Sequence, residues 1–90
     1  MNIAVERFPV RVMVPDVWDH VVLAVDVGTT VAELKRQALE RSRAGPVDPR
    51  EYAVKFRGAE VLDESMRLEA LGVPPNAAFI VVPRRRRPVR

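Results

Sequence analysis

The sequence predicts an α+β roll: a mixed sheet of four to five strands with one α-helix packed on one face. Three observations predict it. Four short, separated runs alternate apolar and polar residues, the two-residue period of half-buried strands. A single stretch beginning near residue 30 carries the helical period instead. The order is strand, strand, helix, then strands again, so returning strands lie beside an opening hairpin and the helix covers one face.

Val10, Val12 and Val14 alternate between Pro9 and Pro15 and define the first strand. A polar turn over residues 16–20 leads into a second strand, residues 21–27, with Val21, Leu23 and Val25 on one face. Gly28 and Thr29 break it. Thr30 and Glu33 fit a capping box, in which each side chain takes the other's backbone amide. Val31, Leu34 and Ala38 form a narrow helical stripe, with Leu39 or Ser42 completing it. Lys35, Arg36, Arg41 and Arg43 are expected to face outward or toward the helix C-terminus, where cations suit the helix dipole. Gly45 and Pro46 are expected to stop the helix. Residues 52–56 alternate again, with Tyr52, Val54 and Phe56 inward, and Arg57, Gly58 and Ala59 read as a turn. Residues 60–62 form a short strand. The stretch from Met66 to Val73 holds one helical turn. Pro74, Pro75 and Asn76 turn the chain into a last strand, residues 78–82, with Phe79 and Val81 on one face and Ile80 and Val82 on the other. Pro83 ends it, because it has no N–H for the ladder.

Ninety residues make one domain with one modest core. The expected organisation is an N-terminal extension over residues 1–8, a domain over 9–83, and a disordered Arg-rich tail over 84–90. The net charge of +3 is unevenly placed. Five bases lie in the last seven residues, which leaves ten bases against twelve acids, or −2, for residues 1–83. A uniformly basic nucleic-acid face is therefore not expected. No apolar run approaches the roughly 18–20 residues of a membrane span, and the expected location is the cytoplasm.

The absence of Cys removes disulfides, thiol nucleophiles and thiolate metal sites. A single His, His20, allows no multi-His metal site. No nucleophile elbow surrounds Ser42 or Ser65. Asp16, Asp19, Asp63 and Glu64 are turn carboxylates too scattered for a metal. No catalytic residue, metal or cofactor is expected. Trp18, the only Trp, lies in a turn, where an aromatic is a strong interface anchor. Arg84, Arg85, Arg86 and Arg87 form a charge block that could steer an acidic partner or nucleic acid, although no aromatic interleaves with it for base stacking.

Five segments in order resemble ubiquitin and the β-grasp superfamily: residues 25–35 at the entry to the helix, Ala44 to Pro46 with Pro49 at its exit, Val54 to Gly58, Arg67 to Val73, and Phe79 to Val82. The resemblance covers about Pro9 to Arg84 and implies a ubiquitin-like β-grasp roll. Family members that become covalently attached end in Gly-Gly, and here no Gly follows Gly72. The main chain-building lysines of ubiquitin align with Ala59 and Pro75. The family's apolar binding face corresponds to Val17 or Trp18 on the first turn, Lys55 on the third strand, and Ile80 with Val82 on the last. The resemblance thus implies a non-enzymatic protein-binding module whose patch has a cation at its centre. The chain is also similar to small bacterial YukD-like proteins, which belong to specialised secretion systems and lack a Gly-Gly tail. Its Arg-, Ala-, Val- and Pro-rich composition is what a GC-rich bacterial genome tends to encode. Alternatives that stay open are a covalent modifier, a secretion-system accessory, a nucleic-acid adaptor using the tail, and a regulatory subunit of an enzyme. A monomer or weak homodimer is expected.

Overall fold

The computed structural model describes residues 6–84. Its strands are β1 (Phe8–Val14), β2 (Asp19–Val25), β3 (Tyr52–Phe56), β4 (Ala59–Glu60) and β5 (Ala78–Pro83). Its helices are α1 (Val31–Arg41) and a single turn, α2 (Leu68–Leu71). They form one mixed sheet in the order β2-β1-β5-β3-β4, with only β1 and β5 parallel. This is the expected α+β roll with five strands.

Alternation decides which side of each strand is buried. Val10, Val12, Val14, Leu23, Phe79, Val54 and Val81 are fully buried on the inner face, against Val31, Leu34, Ala38 and Leu39 of α1. Phe56 and Phe79, direct cross-strand partners, stack at 4.8 Å between ring centroids. Burial of these branched side chains is the main favourable term, at about 1.5–3 kcal/mol for each large one.

The first strand is longer than its alternating valines indicate. Phe8, expected in the N-terminal extension, pairs with Val25 and packs on the core. Ile3 and Val5 lie outside the described residues. The helix begins as expected. Thr30 is its N-cap, and its hydroxyl accepts the Glu33 amide at 3.1 Å. The reciprocal half of the capping box is replaced, because the Glu33 carboxylate turns to Arg36 at 3.5 Å. Replacing Thr30 with Ala leaves that amide without its acceptor, so stability should fall by about 1 kcal/mol. Chemical denaturation should show this as a shifted midpoint at unchanged slope.

The helix ends earlier than the glycine signal indicates, with Ser42 as its C-cap. The Ser42 hydroxyl donates to the Leu39 carbonyl at 3.1 Å and accepts the Ala44 amide at 3.1 Å. Serine competes with the helix for its own backbone groups in this way. Gly45 then takes a left-handed φ of 72° in the following turn.

The segment after β4 is sewn to the start of α1. Val31 and Ala32 donate to the carbonyls of Met66 and Glu64, at 2.9 and 2.8 Å, and Leu68 donates to the Thr29 carbonyl at 2.9 Å. Gly72, with φ 67°, ends α2 in the left-handed conformation that glycine adopts without strain.

Candidate functional site: the outer face of the sheet

The sheet has one face without a helix. Cross-strand register places His20, Met13, Ile80, Lys55 and Glu60 in one row across it. Paired residues point to the same side of a sheet, so this row is shared by all five strands. A second row carries Val22, Arg11 and Ala78. Val82 lies two residues beyond Ile80 on the same face, opposite Ala53. Met13 is 48% exposed, Val22 55% and Ile80 37%.

The hairpin turn stands at one end of this face. A 3-10 turn over Pro15–Val17 packs against β5. Its position is fixed from across the sheet, since the Tyr52 hydroxyl donates to Asp16 Oδ2 at 3.1 Å. Burial, joined by that carboxylate, pushes the Tyr52 phenol above its usual range, so it remains a donor at neutral pH. The turn separates its two apolar residues. Val17 packs on the core, whereas Trp18 is 91% exposed. Of the two residues offered for this position, the outward one is Trp18. Its backbone is left-handed, at φ 54° and ψ 41°, which is strained for a bulky side chain.

The structure therefore brings Lys55, Ile80 and Val82 onto one face, with Trp18 on the turn at its end. It adds Met13 and Val22, which sequence reasoning missed. Met13 carried a signal, because it falls between the inward Val12 and Val14 of an alternating strand.

Lys35 corrects an expectation. It does not face outward; it is 3% exposed, beneath the edge of the sheet. Its ammonium meets Glu64 Oε1 at 2.6 Å and donates to the Tyr52 carbonyl at 2.9 Å. The signal lay in its spacing. Val31, Lys35 and Leu39 are four apart, so Lys35 belongs to the buried stripe. Glu64 carries the network onward, and its Oε2 accepts from Arg84 at 2.9 Å. Arg84 also reaches Glu60 at 3.0 Å and donates to the Arg50 carbonyl at 2.9 Å, while its amide donates to the Glu51 carbonyl at 2.8 Å. Arg84, expected at the head of a free tail, is docked on the β4 side of the domain. Arg85, Arg86 and Arg87 lie outside the described residues. A cleft of about 310 Å3 is lined by Ala53, Lys55, Glu60, Val82, Pro83 and Arg84.

Among the described residues no cluster of three His, Asp or Glu side chains could hold a metal. No described helix is long and apolar enough to cross a membrane. Asp48 and Asp63 have carboxyls held below their usual range, by hydrogen bonds from Arg50 and Ser65 respectively. Both are exposed local turn contacts.

Comparison of the fold gives it a class. It is similar to the ubiquitin-like domain of an Arabidopsis thaliana protein, with a TM-score of 0.76 and 19% identity over 99% of this chain and 89% of that one. It is similar to the ubiquitin of Caldiarchaeum subterraneum, with a TM-score of 0.75 and 16% identity over 89% of this chain and 96% of that one. The fold is thus the ubiquitin-like β-grasp. No protein-family model matches the sequence, and no curated protein matches it.

Proposed function

We propose that the protein is a non-enzymatic ubiquitin-like interaction module that holds a protein partner on the outer face of its sheet, with Trp18, Lys55, Ile80 and Val82 at the centre of the contact. Trp18 is the observation that carries this reading. A large aromatic stands almost wholly in solvent, on a strained backbone, at the end of a face bearing further exposed apolar side chains. Buried aromatic anchors dominate interface energetics, and clustered exposed apolar groups call for a partner in a way that scattered ones do not.

The test is a pull-down from extract of the source cells, with wild type and a Trp18→Ala/Ile80→Ala variant side by side, and intact mass measured on the recovered bait. A partner held by wild type and lost by a folded variant, with bait of unchanged mass, is the expected result. Equal recovery on both baits would place the contact elsewhere. Bait returned shortened or joined to a second protein would favour the covalent-modifier reading. Recovery that falls steeply with salt and disappears when Arg85, Arg86 and Arg87 become Ser would favour the tail as the contact.

A further inference from the structure

Charge on the same face indicates what the partner presents. Register places three fully charged side chains there: Arg11, Lys55 and Glu60. Glu60 is already neutralised by Arg84. Arg11 and Lys55 are exposed and take part in no ion pair among the described residues. The carboxylates of the adjoining turn are also engaged: Asp16 accepts from Tyr52, and Asp19 accepts from the amides of His20 and Arg43. The face thus presents two cations without an ion-pair partner among the described residues, while the carboxylates of the turn are held at its end by neutral donors. Between them lie Ala78 and Ile80, with Met13 beside Ile80.

Resting on the interaction-module reading above, we propose that the partner binds through an acidic segment with an apolar centre: one apolar side chain seated on Met13 and Ile80, and carboxylates on either side meeting Arg11 and Lys55. The spacing fits such a segment. Arg11 and Lys55 are two strand spacings and one two-residue step apart, about 12 Å between Cα atoms. Carboxylates four residues apart in an extended segment, at about 13 Å, span that distance. Two cations with an apolar pair between them do not form the continuous basic track that a nucleic-acid backbone follows. A second copy docked face to face would set this pair of cations against an equally cationic surface, so like charges oppose that arrangement.

The test is selection of random phage-displayed 16-residue peptides on the full-length chain. Counter-selection uses a synthetic peptide of residues 84–90, which removes phage that bind the tail and keeps those that bind the face whatever their charge. Selected peptides should carry Asp or Glu on both sides of Leu, Ile or Phe. Their amide chemical-shift changes should centre on Arg11, Met13, Lys55 and Ile80. Affinity should fall about tenfold in an Arg11→Gln/Lys55→Gln variant, the sum of two exposed ion pairs, and by a similar factor when the peptide acids become amides. Apolar peptides without acidic enrichment that map to the face would overturn the partner chemistry and leave the module reading standing. Peptides that map elsewhere, or no survivors, would overturn both. Tighter binding of a 20-nucleotide oligo(dT) at the same residues would replace the acidic peptide with nucleic acid.

Discussion

Lys35→Ala should destabilise the fold by about 3 kcal/mol, the lower end of the cost of removing one partner from a buried ion pair. The substitution leaves the Tyr52 carbonyl without its donor and takes from Glu64 its nearest cation. It also leaves space where the buried lysine stem stood. Arg84 keeps Glu64 partly compensated, so the cost stays at that lower end. For a domain of this size the melting temperature should fall by about 12–24 °C, as each kcal/mol shifts it by about 4–8 °C. Lys35→Met keeps the stem and removes only the ammonium, so its cost should be roughly half. A double-mutant cycle of Lys35→Met with Glu64→Gln should give a coupling of about 1–2 kcal/mol. The loss should change little with salt, because a pair this buried is weakly screened. A loss below about 1 kcal/mol for Lys35→Ala is the range of an exposed pair, and would show that the ammonium reaches water.

The same residue shows where sequence legibility ends. The strands were readable because each has one buried and one exposed face, and alternation records that directly: Tyr52, Val54 and Phe56 face in while Lys55 faces out. The helix start was readable because the cap is a local hydrogen bond between residues three apart. Lys35 was misread because its type argues for solvent while its position argues for the core. Position prevailed because Glu64, 29 residues later, is folded over it by the amide bonds of Val31 and Ala32. Arg84 was misread for the same reason. Its neighbours in sequence are arginines, but its partners are Glu60, Glu64 and the carbonyl of Arg50. At the hairpin turn, two adjacent apolar residues offered the same chemistry. Only the left-handed backbone at Trp18 separates them, sending Val17 to the core and Trp18 to solvent. The candidate face is therefore legible in Lys55, Ile80 and Val82 of β3 and β5, missed at Met13 and Val22 of β1 and β2, and ambiguous in its turn.

That left-handed turn makes Trp18→Gly informative, because its two effects should have opposite signs. A non-glycine residue in this region costs about 1–2 kcal/mol. Trp18, 91% exposed, recovers almost none of that by burial. Glycine removes the strain but enlarges the entropy of the unfolded chain, an offset of about 0.4–1 kcal/mol. The variant should therefore be more stable by roughly 0.5–1 kcal/mol, with a melting temperature higher by about 2–8 °C. The same change removes the aromatic anchor, and loss of such a residue typically weakens a complex by 2 kcal/mol or more, about 30-fold. Trp18→Ala separates the two effects, since it should lose the partner without gaining stability. A Trp18→Gly chain that melts lower than wild type would mean that the indole packs on its own domain, and the strained turn would then be a structural cost with no interface behind it. A more stable chain that no longer holds its partner would mean that the strain at this position is sustained by what the indole touches outside the domain.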